Sequence, residues 1–218
     1  MRKMLCAFLY LAVNMVSAQV VDPDLLLVKA RMDSIIGFEA NLELKLDVEF
    51  INMPAKYAVM KYEKGKMIDF DSEDFVMIPR KGLDFTLGEL LKYPVITVDR
   101  GMEVVNGVSC KMINVIPDDR RADFSIAALL IDTARNRVMQ SEITTRKHGT
   151  YLMEFKYRSN KDPLPEQIIV NFEIEKIRIP LSYMGKEADV DKERMKAEGP
   201  KTGSIILNMS DYQIDYLQ

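Results

Sequence analysis

The sequence predicts an α+β domain built on one long, curled antiparallel sheet. Three observations lead there. Apolar and polar residues alternate with a period of two in many short segments, turn residues separate those segments at hairpin spacing, and only two segments after the N-terminal stretch repeat with a helical period. A strand with one wet face and one apolar face belongs to an antiparallel sheet. A meander of roughly ten or eleven such strands must curl, split or close, because large twisted sheets do not stay flat. With one apolar face and few helices, the sheet is expected to curl and to have its hollow side covered by those helices.

The composition suits this class. The 218 residues are 48% apolar and 29% charged, with a formal net charge of −3, which describes a globular chain. The acidic balance argues against nucleic acid, whose binding needs clustered Lys and Arg. One His and two Cys leave little for metal binding or for Cys/His and Ser/His catalysis, so neither an enzyme, a metal nor a cofactor is implied.

The first residues read as a secretory signal. Arg2 and Lys3 precede an apolar run from Met4 to Val16, and Val16-Ser17-Ala18 offers the small residues of a cleavage site. The run is too short for a membrane span. Cys6 comes too early in it to end a lipoprotein box. Residues 1–18 are therefore expected to be removed, leaving residues 19–218 as one exported, soluble, unlipidated domain. Cys110 is then without an internal disulfide partner and is expected to be a buried strand residue.

A helix should open the domain. Asp22-Pro23-Asp24 supplies a cap, a proline for the first turn and an acid at the positive dipole end. Leu25, Val28, Met32 and Ile35 follow at helical spacing, and Gly37 is expected to mark the stop. The period then becomes two, with Leu42, Leu44, Leu46, Val48 and Phe50 as the apolar phase. Lys56 to Tyr62 and Lys66 to Phe70 flank a Lys64-Gly65 turn, and Phe75 to Ile78 stops at Pro79. Thr86 and Glu89 form a capping box, Phe85 and Leu90 a hydrophobic staple, so a short second helix is expected before Pro94.

Asn106-Gly107 is a strong hairpin signal. Further strands are expected at Phe124 to Ile131 and Val138 to Thr145, around a turn near Asn136, then at Tyr151 to Tyr157 and Ile168 to Ile174. The polar stretch from Gly185 to Gly203 reads as a surface loop with one helical turn after Asp189. The last strand carries Ile205, Leu207 and Met209, then Tyr212, Ile214 and Tyr216, and the change of phase near Ser210-Asp211 predicts a bulge. The paired acids Glu73-Asp74 and Asp118-Asp119 and the lone His148 all read as turn residues.

In this order the motifs resemble a known family. They are the segment from Val104 to Pro117 with its Asn106-Gly107 turn, the strand from Leu164-Pro165 to Phe172, and the final Asp211-Tyr212-Gln213-Ile214-Asp215. The chain is similar to the LolA-like periplasmic carriers of outer-membrane lipoproteins, over nearly all of residues 19–218. The resemblance implies a half-open, unclosed β-barrel with helices as a lid over an apolar cavity. It also implies a function, carrying the acyl chains of lipoproteins across the periplasm toward the outer membrane. The family places an Arg before the Pro of an early turn. Here Met53 precedes Pro54 and the nearest basic residue is Lys56, so the implied cargo widens to other lipids and amphiphiles.

On that reading Leu44, Leu46, Phe70, Met77, Leu91, Met112, Met153, Phe155 and Phe172 are the expected cavity wall, and Leu87 and Leu90 the expected lid. Methionines on predicted strands, such as Met60, Met67, Met139 and Met153, suit a pliable wall and an ordinary core equally. The implied partners are an acylated lipoprotein or lipid and transient donor and acceptor proteins at the inner and outer membranes, met by a monomer. A lipid-sensing regulatory or interaction module on the same scaffold is the alternative.

Overall fold

The computed structural model of the chain describes residues 21–66, 68–72, 87–147, 149–174 and 189–217. Helix α1 spans Pro23–Asp33, with Asp22 as its cap; Asp22 Oδ1 accepts from the Asp24 amide at 2.9 Å. The helix stops earlier than its sequence spacing suggests. Ile35 already begins strand β1 (Ile35–Asp47), and Gly37 lies inside that strand. A Cβ on Gly37 would sit 3.2 Å from the Tyr62 carbonyl oxygen, so this glycine permits a close strand approach and does not end a helix.

The remaining elements are β2 (Ile51–Asn52), β3 (Lys56–Glu63), β4 (Asp69–Asp71), α2 (Leu87–Leu90), β5 (Val95–Val105), β6 (Val108–Pro117), β7 (Phe124–Asp132), β8 (Arg137–Thr145), β9 (Thr150–Lys156), β10 (Gln167–Ile174), β11 (Asp189–Val190), α3 (Lys192–Lys196) and β12 (Lys201–Tyr216). The Asn106-Gly107 hairpin forms as expected, with φ of 51° and 77° at its two turn residues. Asn136 is likewise left-handed in the β7–β8 turn. Asp211, at φ 55°, marks the bulge in β12, where its pairing with β1 shifts between Glu39 and Asn41. The polar stretch before β12 contains β11 and α3, the latter capped by Asp191. The Phe75–Ile78 segment, Phe85, Thr86, Met67, Met77 and His148 lie outside the described residues.

Ten strands form one antiparallel sheet in the order β4-β3-β1-β12-β10-β9-β8-β7-β6-β5, and β11 pairs with β2 in a second, two-stranded sheet. The large sheet is open, with β4 and β5 at its two edges. It is not the single meander that the sequence suggests. Two meanders meet where β1 pairs with β12 along eleven residue pairs from Ile35↔Tyr216 to Asp47↔Ser204. Strands β4 and β5, neighbours in sequence, therefore stand at opposite edges, and the connection between them runs from residue 72 to residue 94. Helix α2 lies in that connection.

The register places one side chain set on each face. Leu42, Met209 and Ala58 share a face through their pairings, as do Ile168, Leu207 and Phe155. This face is apolar along the sheet and carries α1 and α2. The opposite face is wet over β3, β1, β12 and β10. There Tyr57 donates to Glu43, Asn208 donates to Glu43 at 2.8 Å, and Gln167 donates to Asn208 at 2.7 Å. A second chain of bonds runs from Ser204 to Asn171 to Glu154.

Candidate functional site

The apolar, concave face divides into three packed regions. In the first, Leu25 and Val28 of α1 and Leu90 of α2 lie against Val95, Ile113, Val115, Leu129, Ile131, Ile143, Met153 and Val170. This half of the sheet, β5 to β10, is a filled core. At roughly 1.5–3 kcal/mol for each large aliphatic side chain withdrawn from water, it is the main source of stability.

Polar contacts pin α1 across this half at both ends. At its N-terminus Lys111 of β6 donates to Asp22 and Asp24, each at 2.8 Å, with Asp99 3.5 Å away. Hydrogen bonding to these carboxylates holds the Lys111 ammonium well above its ordinary pKa. The Asp22 amide donates to Thr97 Oγ1 at 2.9 Å. At its C-terminus Arg31 donates to the carbonyls of Arg135 and, at 3.1 Å, Asp162. Nearby, buried Asp132 accepts from Arg135 at 3.0 Å and Arg137 at 3.2 Å, and the Arg137 guanidinium lies 4.3 Å from the Tyr157 ring centroid. Burial pushes the Tyr157 hydroxyl up to about 12. These groups tie two loops and a helix end together and hold no reactive pair.

The second region covers β3, β1 and β12. Ala40, Leu42, Leu44, Ala58, Met60, Leu207 and Met209 pack there with half-buried Phe38, Met53, Ile68, Phe70 and Tyr212 around them. No residue of a described helix belongs to this cluster. Phe38 stacks on Tyr62 at 5.3 Å and meets Tyr212 edge-on at 5.7 Å. Tyr212 donates to the Pro165 carbonyl at 2.8 Å, so two residues that carry the family resemblance meet at this rim. In the third region Val48, Phe50, Ile51 and Phe172 pack with Leu46, Val190 and Met195. Met53, the residue before Pro54, touches both of these regions, and Lys56 beside it is buried.

The expected cavity residues thus fall into separate groups. Leu44 and Phe70 lie in the second region, Leu46 and Phe172 in the third, and Leu91, Met153 and Phe155 in the helix-packed first. Met112 does not join them. It pairs with Leu130 and lies with Cys110 and Met139 on the other face, because Ile113, one residue on, is the side chain that faces α1. In a period-two strand the neighbour of a core residue points away from the core. Met77 lies outside the described residues. Of the expected lid, Leu90 is buried against α1 and the sheet, and Leu87 is half-buried beside it. Cys110 is fully buried, as expected, and burial raises its thiol pKa.

Sequence reading missed Phe38, Met60, Leu207, Met209 and Tyr212 as neighbours of one apolar patch. Each lies on an apolar phase, but the β1–β12 pairing that assembles them joins residues more than a hundred apart. Two recesses of about 610 and 590 Å3 lie along the wet face, lined by residues such as Glu142, Asn171 and Ser204, and Asn41, Glu43 and Asn208. Among the described residues no group of His, Cys, Asp or Glu could hold a metal ion, and no helix is long and apolar enough to cross a membrane.

No family model matches the sequence, and no curated protein does. Solved structures do match. A protein domain from Vibrio parahaemolyticus assigned to outer membrane lipoprotein sorting is similar at 13% identity and a TM-score of 0.47, over 87% of this chain and 91% of that one. A DUF1329 family protein from Desulfovibrio piger matches at 10% identity and a TM-score of 0.47, over 89% and 94%. A LolA superfamily protein from Nitrosomonas europaea matches at 10% identity and a TM-score of 0.46, over 88% of this chain and 93% of that one.

Proposed function

We propose that this chain is a carrier that shelters acyl chains of lipoproteins or other lipidic cargo in the periplasm, for transfer toward the outer membrane. The observation that carries the reading is the division of the concave face. The sheet is left open, its apolar side continues across all the strands, and the described helices cover one half of it. An acyl chain would lie along the other half, against Leu42, Leu44, Met60, Phe70, Leu207 and Met209. Each methylene withdrawn from water is worth about 0.8 kcal/mol, so a chain of roughly 15 methylenes offers about 12 kcal/mol before the costs of binding. A carrier must also release its load. Met60 and Met209 adapt to different chains and commit to none. Export would follow removal of residues 1–18.

The deciding experiment is mass spectrometry of lipids retained by the protein purified from its native envelope, alongside titration with a fluorescent fatty acid. Retained acyl lipids and saturable binding support the carrier. An empty protein that also fails to bind the fatty acid refutes it. N-terminal sequencing of the exported form should begin at Gln19; an uncleaved or acylated N-terminus would overturn that part.

A further inference from the structure

The tip of the β5–β6 hairpin is an arm. Pairing of β6 with β7 begins at Lys111↔Ile131, so among the described residues Val108–Cys110 pair only with β5. Strand β5 is the last of the sheet, with no described strand beyond it. An edge strand offers a row of backbone donors and acceptors to any extended chain, and proteins usually blunt such edges. The opposite edge is blunted: β4 is three residues long and begins and ends with aspartate. The β5 edge runs for eleven residues. A bulge between Asp99 and Met102, with Gly101 at φ 92°, divides it.

The bulge also exchanges the faces. Ile96 and Val98 share one face with Ile116 and Asn114, whereas Met102 and Val104 turn to the face of Lys111 and Ser109. Met102 and Val104 are 63% and 69% exposed, among the most exposed large apolar side chains described. Glu103 stands between them on the other face, opposite Cys110. The acids Asp22, Asp24 and Asp99 surround Lys111 nearby, and with Glu103 they outnumber the cations Arg100 and Lys111 at this end of the hairpin.

The geometry points to the Met102–Val105 edge as a docking site for an extended segment of a partner protein, added as a further strand and carrying apolar, basic and apolar residues in alternation. Apolar side chains would cover Met102 and Val104, and the basic one would face Glu103. A second copy of this chain is a poor occupant. Antiparallel pairing that sets Met102 against Val104 of the copy sets Glu103 against Glu103, and like charges directly opposite destabilise a pair. Strand addition takes its affinity from main-chain bonds and its specificity from alternate side chains. The site lies at the β5 edge, at the far end of the sheet from the half over β3, β1 and β12, so the carrier reading can fail while this one stands.

The test uses the full chain and two blocked peptides of about six residues, one alternating Val with Lys and one alternating Val with Glu. The Val/Lys peptide should bind and slow amide exchange at Met102–Val105. The Val/Glu peptide should bind at least about tenfold more weakly, and Glu103→Lys should reverse that order without changing thermal stability. Met102→Lys should weaken both peptides. Equal binding of the two peptides to the parent, or binding of neither, overturns the proposal. So does sedimentation showing that the parent dimerises and that Met102→Lys dissociates the dimer, because the edge would then belong to a second copy.

Discussion

The two halves of the large sheet are built from the same alternation and have different fates. From β5 to β10 the concave face receives Leu25, Val28 and Leu90 from two helices, and Ile113, Val115, Ala127, Ile131 and Ile143 lose all contact with water. Over β3, β1 and β12 the same face has no described helix residue against it; Leu42, Leu44, Met60, Leu207 and Met209 are buried at its centre, and its rim of Phe38, Met53, Ile68, Phe70 and Tyr212 stays half-buried. An apolar phase therefore specifies which side of a strand turns inward. How that side is covered depends on what crosses it: α1 is anchored at both ends over the β5–β10 half, and toward the other half Lys64 donates to the Asp33 carbonyl at 2.7 Å.

The largest expected effect lies in the closed half. Ile143→Ala should cost about 2–5 kcal/mol, because a fully buried position surrounded by helix and sheet cannot collapse around the void. The urea midpoint should fall, while the folded fraction keeps its affinity for a fluorescent fatty acid. Affinity lost in proportion to stability would mean that the two halves are one site.

Lys111→Met comes next. It leaves Asp22 and Asp24 without their shared cation and should cost about 1–3 kcal/mol. Hydrogen exchange should quicken in α1 and stay slow in β1 and β12. Faster exchange in β1 would show that the helix also supports the half over β3, β1 and β12.

Overpacking separates the halves by mechanism. Met153→Phe adds volume to the filled region and should cost about 1–3 kcal/mol. Phe70→Trp, at the half-buried rim, should leave the denaturant midpoint nearly unchanged and alter fatty-acid affinity instead. A destabilisation at Phe70 equal to that at Met153 would mean that the second region is as solid as the first.

The smallest effect concerns the wet face. Hydrogen bonding from Asn208, helped by Lys45, holds the Glu43 carboxyl below the usual carboxylate range. A lowered folded pKa adds stability that is complete above the unfolded value, about 4.3, and is lost as pH falls through the folded one. The stability gap between the parent and Glu43→Gln should therefore be largest near neutral pH and shrink below about pH 4. A gap that widens on acidification would reverse the sign of this coupling.

Local rules carried the sequence reading far. Asp22-Pro23 caps α1, Asn106-Gly107 turns through two positive φ angles, and Ser210-Asp211 marks a bulge, because each outcome depends on a few adjacent residues. The alternation at Leu42, Leu44 and Leu46 likewise assigned an inward face. The same logic misplaced Met112, where Ile113 proved to be the inward residue, and it read Gly37 as a helix stop when its role depends on Tyr62 across the sheet.

Of the candidate site, the apolar character was legible and the assembly was not. Tyr212 and Pro165 stood in the sequence as separate motifs, and only the folded chain joins them by a hydrogen bond. By itself the sequence determined the antiparallel class, the turns and which phase of most strands is apolar, because these follow from periods of two and from backbone sterics. Only the tertiary structure decided that β1 pairs with β12, that β4 and β5 are the open edges, and that α1 covers one half of the concave face. Those are pairings between residues far apart in the chain. Their free energy comes from the area each arrangement buries, and no local pattern encodes which distant apolar face will supply it.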